Sequence, residues 1–382
     1  MKRLLVTALK IALSAAILAY LVWNALRASY EGHESVFGRL VGQPKRWDFL
    51  AAAWLVTSAA VVLTLVRWWY LVRALELPCR LGNALRLGFL GFLFNLAPMG
   101  IVGGDLLKAV LLARQHRENR AKAVASVVAD RLLGLYALFV VATLAIWWSG
   151  VEQFGGREVQ LACRAVFALT AAGTLAGAAL LTPGVTDGRL SRALGRLPRV
   201  GSSLGNLIDA VRMYRRKPGV LTVSLLGSLG VHCLFVLGVY LIARGLPGDD
   251  LTLSAHFVVV PVAAATGILP LPLGPFELVL EFFYTHLPSG ESLIPAGQGL
   301  VVALVYRLIN VLIAAMGIGY YLGSRREVAE VLQETREQQR DAQAEPSADD
   351  SADCLAVNLP ATAPAALPVV GPAASWNCRQ SA

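Results

Sequence analysis

An apolar stretch from Ala84 to Ala113 is cut near its middle by the sequence NLAPMGIVGGDLLK, residues 95–108. Proline lacks a backbone donor and glycine is a poor helix former, so the segment from Pro98 to Asp105 cannot stay helical. Each remaining arm has about fourteen residues, whereas a helix needs about 20 to cross a bilayer. The stretch is therefore predicted to form a helical hairpin that enters and leaves the membrane on one side.

A second apolar stretch, from about Ala255 to His286, is cut in the same way. Its interruption is the sequence PLPLGP, residues 270–275, in which three prolines and a glycine stop the helix. The arms on either side are again too short to cross a bilayer separately. The sequence therefore predicts two re-entrant hairpins.

The rest of the chain is dominated by longer apolar runs. Of its 382 residues, 56% are apolar and 15% are charged, against about 45–50% and about 25% in soluble domains. This composition excludes an ordinary soluble protein and predicts an all-α polytopic membrane protein. Six runs are long enough to span a bilayer on their own: Leu4–Leu26, Phe49–Val72, Val124–Trp148, Leu161–Leu181, Val220–Ala243 and Gly297–Leu322.

The charges of the loops predict the orientation of these spans. Cytoplasmic loops collect lysine and arginine, and the segment Pro183–Pro218 carries eight basic residues. Together with Lys2 and Arg3, this segment predicts a protein of the cell (inner) membrane with both termini in the cytoplasm. On this path the first hairpin opens to the cytoplasm and the second to the exterior. Opposed broken helices of this kind are typical of transporter substrate sites near the bilayer midplane.

Two domains are predicted. Residues 1–324 form the membrane domain, in which the leucines and arginines of residues 187–217 are spaced as in amphipathic helices that lie on the inner leaflet. Residues 325–382 are predicted to form a charged cytoplasmic helix followed by a disordered tail rich in Ala, Pro, Ser and Asp. The formal net charge of +9 is carried by short loops, so no nucleic-acid partner is predicted.

The first interruption supplies one group of candidate substrate-binding residues. Gly103 and Gly104 leave backbone donors free at the start of the second arm, and such a helix N-terminus favours phosphate. Asp105 and Lys108 lie on one helical face; the lysine could receive a phosphate, or the pair could only fasten the hairpin. Asn95, on the first arm, could cap the broken backbone.

The second interruption and the last span supply a further group. Glu277 lies in the first turn after Pro275, where a carboxylate is favoured, and it could bind substrate or only cap the helix. Arg307 and Asn310 lie about ten residues inside the last span, where a charge is costly. We expect Arg307 to pair with an acid such as Glu277 or Asp105.

Two adjacent charged residues near the cytoplasmic end of the third long run, Asp130 and Arg131, complete the substrate-binding candidates. Four other polar residues are weaker candidates. Arg67 could snorkel inward, and His232 is interpreted as a hydrogen-bonded core histidine. His256 is interpreted as interfacial, and Glu281 could add a second acidic group after the second break or simply face the outer aqueous side.

Two motifs of enzyme chemistry are missing from the sequence: the phosphate-binding loop that ends in Gly-Lys-Ser/Thr and the His-Glu-x-x-His metal motif. The five cysteines are odd in number and lack a close pair such as Cys-x-x-Cys, so neither a disulfide framework nor a zinc site is indicated. The sequence therefore predicts a protein that is not an enzyme and that uses no metal or cofactor.

The motifs together resemble the lysylphosphatidylglycerol synthase transmembrane-region family, also called flippase-like integral membrane proteins. The resemblance covers roughly Met1 to Ser324. It rests on Asn95-Leu96-Ala97-Pro98, Gly103-Gly104-Asp105-Leu106-Leu107-Lys108, Asp130-Arg131, the proline-rich break before Glu277, and Arg307. In bifunctional relatives this membrane module is implicated in moving aminoacylated phospholipid between leaflets, while a separate cytosolic domain makes that lipid. The resemblance therefore implies lipid translocation and not lipid synthesis.

This sequence departs from the family pattern in two places. Lys108 stands where the pattern has arginine, which keeps the charge but loses the bidentate fork. Leu273-Gly274-Pro275 replaces a glycine-rich run, which makes the second hairpin stiffer.

The leading hypothesis is an inner-membrane lipid translocase whose substrate is an anionic or polyprenyl-linked phospholipid, held in a cavity between the two hairpins. Two alternatives stay open. One is a membrane glycosyl- or phosphotransferase that uses a lipid-linked donor, and the other is a non-transporting scaffold for a lipid-modifying enzyme. A lipid- or glycan-synthesis enzyme is the expected protein partner.

Overall fold

A computed structural model describes residues 2–30, 36–96, 103–151, 156–182, 211–269, 271, 273–289 and 292–344. The chain divides into two units, Met1–Val331 and Leu332–Ala382, and the first of them contains the site. Most of the predicted amphipathic segment and of the first break, two prolines of the second break, and the predicted disordered tail lie outside the described residues.

The described part of the chain is helical apart from one two-residue β-hairpin. In chain order the α-helices are α1 (Lys2–Tyr30), α2 (Val36–Gly42), α3 (Trp47–Ala74), α4 (Leu81–Leu96), α5 (Gly104–Gln115), α6 (Arg120–Ser149), α7 (Arg157–Leu181), α8 (Pro218–Gly245), α9 (Leu253–Ala265), α10 (Pro275–His286) and α11 (Gln298–Ala344). Short 3₁₀ turns cover Arg117–Asn119 and Thr266–Ile268, and the strands β1 (Pro288–Ser289) and β2 (Ser292–Leu293) pair antiparallel.

Six of the described helices are long and apolar enough to cross a membrane: α1, α3, α6, α7, α8 and α11. They correspond to the six apolar runs, so the prediction of an all-α polytopic membrane protein is confirmed. Helices satisfy their own backbone groups, which is why they can stand in lipid. The protein is a multi-pass helical membrane protein.

The first broken stretch folds as an antiparallel helical hairpin made of α4 and α5. At its base, Asn83 Nδ2 donates to Gln115 Oε1 at 2.6 Å. At its tip, the Gly104 amide donates to Asn95 Oδ1 at 2.8 Å, so Asn95 satisfies one of the donors that a helix start leaves free. Both ends of the stretch therefore lie on the same side. That this hairpin dips into a bilayer and returns stays a prediction.

The tip of the first hairpin depends on glycine at position 104. A Cβ at Gly104 would lie 1.6 Å from the Gly91 carbonyl oxygen, a contact that forces the two arms apart, whereas a Cβ at Gly103 would meet nothing closer than 3.9 Å. We expect Gly104→Ala to lower the thermal unfolding midpoint of the detergent-solubilised protein, because overpacking of a tight contact costs about 1–3 kcal/mol. Gly103→Ala is the matched control. Equal midpoints for the two variants would contradict the close approach of the arms.

The second broken stretch is also an antiparallel hairpin, made of α9 and α10. At its base, His256 Nε2 lies 2.8 Å from the Tyr284 hydroxyl. At its tip, Gly274 has φ +107°, which favours glycine, and its amide donates to Glu277 Oε2 at 2.8 Å. His256 is fully buried at this base, and its interpretation as a residue at the depth of the membrane interface stays a prediction.

The two hairpins have their bases at opposite ends of the membrane-spanning part of α11, Gln298–Arg325. Near the base of the first, Arg86 Nε donates to Ser324 Oγ at 2.8 Å. Near the base of the second, Glu281 Oε2 accepts from the Leu300 amide at 2.8 Å. Ser324 and Leu300 are separated by most of the membrane-spanning part of α11, so the two hairpins point toward each other. The inverted, re-entrant arrangement of the two hairpins across a bilayer stays a prediction.

Glu281 does not form an acidic surface. Its carboxylate is buried and accepts from the backbone amides of Gly297 and Leu300. A carboxylate is stabilised there by the free donors and the dipole at a helix start. Glu281 therefore anchors α10 to the N-terminus of α11, and the expectation of a second acidic group at the site is wrong.

Helices α3, α6 and α8 pack together at the centre of the described unit, against both hairpins. A Cβ at Gly238 would lie 2.5 Å from Thr57 Oγ1, so α8 approaches α3 closely at this point. α7 packs against α6, where the Thr143 and Thr170 hydroxyls lie 2.7 Å apart. The central helices thus form one wall of the space toward which the hairpin tips point.

Candidate functional site

The tips of both hairpins face one cavity of about 560 Å³, within the range of about 300–1,000 Å³ that is typical of ligand pockets. The first hairpin contributes Asn95, Asp105 and Lys108, and the second contributes Phe276 together with Ile268 from the turn before it. Irregular backbone at membrane depth is tolerated where it lines such a cavity. The remaining polar lining comes from the central helices: Thr64, Arg67, Asp130, Arg131 and His232.

Three of the predicted candidates form a charged row across α5 and α6. The Asp105 carboxylate lies between two cations: Oδ2 pairs with Arg131, and Oδ1 lies 3.7 Å from Lys108 Nζ. The predicted Asp105–Lys108 face is therefore present, with Arg131 added from the neighbouring helix. An arginine inside a span is costly to insert unless it is paired, and Asp105 supplies the partner of Arg131.

Lys108 is the most enclosed charge of this row. Its side chain is buried, and its ammonium lies 4.3 Å from the centre of the Trp68 ring, within the range of a cation–π contact. The distance to Asp105 is longer than the roughly 2.7–2.9 Å of a charge-assisted hydrogen bond. The ammonium is thus held by longer-range electrostatic attraction, and its N–H donors stay available to a ligand in the cavity.

Asp130 does not pair with Arg131, its neighbour in the sequence, but with Arg67 of another span. Arg67, on α3, donates from Nε to Asp130 Oδ1 at 3.1 Å and from a terminal nitrogen to the Asp130 carbonyl at 3.3 Å. Its other terminal nitrogen donates to Ser228 on α8. We call these three buried residues the Arg67 cluster. Arg67 does not snorkel; the cluster uses its charge to join α3, α6 and α8.

Arg307 pairs with Glu277, the first of the two partners expected for it. Arg307 Nε donates to Glu277 Oε1 at 2.7 Å, while Glu277 Oε2 accepts from the Gly274 amide. Glu277 is fully buried, and Arg307 is partly exposed. The pair therefore balances a buried carboxylate at the tip of the second hairpin with a cation from the last span.

A second cavity of about 220 Å³ lies beside this pair and is lined by Arg307 and Asn310. Asn310 Nδ2 donates to the Tyr306 carbonyl at 2.8 Å. Phe276 and Tyr306 line both cavities, and their rings stack with centroids 5.5 Å apart and 28° between the planes. Ala264 and Gly267 also line both cavities, so the two spaces are adjacent.

The predicted site residues thus fall into two groups. Asn95, Asp105, Lys108, Asp130 and Arg131 line the large cavity, and Arg307 and Asn310 line the small one. Gly103 and Gly104 form the hairpin tip, and Glu277 lies behind Arg307.

Sequence reasoning missed the partners from other spans, which are Ser228, Trp68, Phe276 and Tyr306, whereas His232 lines the large cavity and contacts the Gly134 carbonyl. The one available signal was Arg67, a charge in the middle of an apolar run. In the part of the chain that the structure describes, no three His, Cys, Asp or Glu side chains lie together in a way that could hold a metal ion.

The fold and the site define a class: multi-pass helical membrane proteins in which two opposed broken-helix hairpins face a charged cavity. The chain belongs to the lysylphosphatidylglycerol synthase transmembrane-region family, whose model matches residues 7–317. Family membership confirms the resemblance carried by the motifs and indicates a membrane function related to lipid. Comparison with curated proteins finds no match to this chain.

Proposed function

We propose that this protein is a cell-membrane lipid translocase, with its N- and C-termini in the cytoplasm, that moves an anionic or polyprenyl-linked phospholipid between leaflets. The acyl chains stay in the bilayer while the headgroup passes through the cavity between the hairpins. Family membership supports a lipid as the substrate. A lipid- or glycan-synthesis enzyme that makes or uses this lipid is the proposed partner.

One observation carries this proposal: two hairpins that meet tip to tip at a cavity with charged walls. A charge in hydrocarbon is expensive, so a headgroup needs polar partners along its way. Lys108 and Arg131 would attract the phosphate in the large cavity, and Arg307 would do so in the small one. Asp105 and Glu277 keep these cations balanced while the site is empty.

The proposed cycle uses the hairpins as alternating gates. The base of each hairpin is fixed by a polar contact, Asn83 with Gln115 in one and His256 with Tyr284 in the other. Ion pairs join the tips to neighbouring helices, Asp105 with Arg131 of α6 and Glu277 with Arg307 of α11. A phosphate can exchange these pairs for its own contacts with the same cations. A tip can therefore move while its base stays in place, which opens the cavity toward one leaflet at a time.

Filling the cavity tests the proposal without changing any charge. Ala264 lines both cavities, so Ala264→Trp places an indole in the path of a headgroup. In vesicles with a labelled anionic phospholipid, we expect translocation to slow by about tenfold, the effect of about 1.4 kcal/mol on the barrier.

Ala165→Trp is the control, because Ala165 is exposed on α7 and no described residue of that helix lines either cavity. It should transport at the wild-type rate. Equal rates for Ala264→Trp and wild type, or no translocation by wild type above protein-free vesicles, would refute the proposal.

A further inference from the structure

The wall of the large cavity contains one histidine, His232 on α8. Its Nε2 atom lies 2.8 Å from the Gly134 carbonyl oxygen of α6. A carbonyl oxygen only accepts hydrogen bonds, so Nε2 carries the hydrogen and Nδ1 is an unprotonated acceptor. Within the described part of the chain, Nδ1 has no hydrogen-bond partner and is not buried. This nitrogen is therefore available to water that enters the cavity.

The charged groups nearest to His232 belong to the Arg67 cluster. Helix α8 packs against α3, α6 and α9, and the described residues of α9 add no charge to the cavity wall. On α3, Arg67 lies close: a Cβ at Gly134 would be 3.4 Å from one of its terminal nitrogens. On α6, Asp130 is already paired with Arg67. No unpaired carboxylate of these helices therefore waits for a protonated imidazole.

The cavity as a whole favours an anion and a proton together. With His232 neutral, the charged side chains of its wall sum to +1, and the remaining titratable side chain there is the uncharged Tyr306. A phosphodiester with one negative charge brings this sum to zero. A proton on His232 then restores the net charge of the empty cavity. The charged members are Arg67, Lys108 and Arg131 against Asp105 and Asp130.

The size of the cavity makes this coupling substantial. A sphere of 560 Å³ is about 10 Å across, and two opposite unit charges at that distance, in an effective dielectric constant of about 20, change each other's binding by about 15-fold. Such a coupling is reciprocal, so a bound phosphate favours the proton as much as the proton favours the phosphate. Histidine is also the side chain whose charge changes most readily between pH 5 and 8.

Asp105 is the other group to which a proton could go, because a phosphate would displace it from Lys108. Its second oxygen keeps a cation partner, Arg131 on α6. The Nδ1 atom of His232 has no such partner to keep. The free proton acceptor of the cavity is therefore the imidazole.

We propose that His232 binds a proton and that the protein moves this proton together with the anionic headgroup. When the cavity opens to the exterior, the Nδ1 lone pair takes a proton from water and forms an N–H bond. When the cavity opens to the cytoplasm, this bond breaks and the proton returns to water. The inference rests on the proposed translocase function and adds the ion that drives it.

The charges determine which force drives this movement. A lipid with one negative charge and one proton cross together without net charge, so the pH difference across the membrane drives the step and the electrical potential does not. Where the exterior is more acidic than the cytoplasm, the lipid is driven toward the cytoplasmic leaflet. This direction follows from the coupling alone.

The test uses vesicles that hold the full-length protein and labelled phosphatidylglycerol, with the outside one pH unit more acidic than the inside. We expect the label to accumulate in the inner leaflet to a ratio of about tenfold, the value for one proton per lipid. A potassium diffusion potential at equal pH should leave the two leaflets equally labelled.

The outcomes separate this inference from the proposed function. If the lipid equilibrates between leaflets without responding to the pH difference, or if the potential moves it, the coupling is overturned while the translocase function stands. If the lipid moves no faster than in protein-free vesicles, the translocase function fails and the coupling fails with it.

His232→Gln assigns the proton to one side chain. Glutamine keeps an N–H for the Gly134 carbonyl and lacks a basic nitrogen, so we expect the leaflet ratio under the pH difference to fall from about tenfold to about one. His286→Gln is the matched control, since His286 is exposed on α10 and lines neither cavity, and it should keep the accumulation. If His232→Gln still accumulates lipid, another group such as Asp105 carries the proton and the assignment is overturned.

A measurement on the wild-type protein alone keeps the test independent of how the variant folds. Phosphatidylglycerol is added to the outer leaflet at equal pH, and a pH-sensitive dye inside the vesicles follows the protons. We expect the interior to acidify as the lipid crosses, and to keep its pH in protein-free vesicles. Lipid that crosses while the interior keeps its pH would overturn the proposed coupling.

Discussion

Asp130→Ala is expected to lower the free energy of unfolding by about 3–5 kcal/mol, the usual cost of leaving one member of a buried ion pair without its partner. The Arg67 guanidinium would keep its contact with Ser228 and lose both its contacts with the Asp130 carboxylate, in a position that is almost closed to solvent. Three helices meet at this cluster, so the loss should appear as a large drop in stability in a denaturant titration of the detergent-solubilised protein.

Two further variants make this prediction specific. Asp48→Ala removes the acid of an exposed pair with Arg46 and should cost about 0–1 kcal/mol. The double variant Arg67→Met with Asp130→Leu removes both buried charges and should recover most of the loss. If Asp130→Ala and Asp48→Ala have the same free energy of unfolding, the Arg67 cluster is not important for stability.

Lys108→Met is expected to have the largest effect on transport. Methionine keeps much of the length of the side chain and its contact with Trp68, but it removes the buried cation that lines the large cavity. A hydrogen bond to a charged group contributes about 1.5–3 kcal/mol, which corresponds to a translocation rate lower by about 10- to 100-fold. The rate is measured with labelled anionic phospholipid in vesicles.

The stability of Lys108→Met separates transport from folding. A buried ammonium is costly to desolvate, so the variant should unfold at the wild-type temperature or above it. Lys122→Met, near the start of α6 and outside both cavities, is the matched control and should transport normally. If Lys108→Met transports normally, or if it loses transport only together with stability, Lys108 serves to fasten the hairpin and does not bind phosphate.

The sequence predicts the hairpins and the spans well because short stretches of neighbouring residues determine both. Apolar runs of sufficient length predict the six spans, and prolines and glycines mark both breaks. The Asp105–Lys108 contact follows from helical spacing. Arg307 lies inside a span, where an unpaired charge is costly, so an acidic partner is expected for it. Few acidic residues are available there, and Glu277 is one of them.

The contacts between distant spans could not be predicted in the same way. Arg67 and Asp130 are 63 positions apart, and no local pattern encodes which faces of α3 and α6 meet. The same reason explains the burial of Glu281, which is decided by how α10 packs against α11. Asp130 and Arg131 were proposed together for the site, and both line the large cavity. Their partners differ, Arg67 for Asp130 and Asp105 for Arg131, because successive residues on a helix point in different directions.

The stacked rings of Phe276 and Tyr306 have a consequence for the electrical insulation of the membrane. Both rings border both cavities, so a headgroup that moves from one cavity to the other in the proposed cycle passes next to them. A lipid translocase has to keep ions from leaking down the transmembrane potential while a much larger headgroup passes. Rings that move aside and close again behind the headgroup would meet both demands, and we expect smaller side chains at these positions to raise the ion conductance of vesicles that hold the protein.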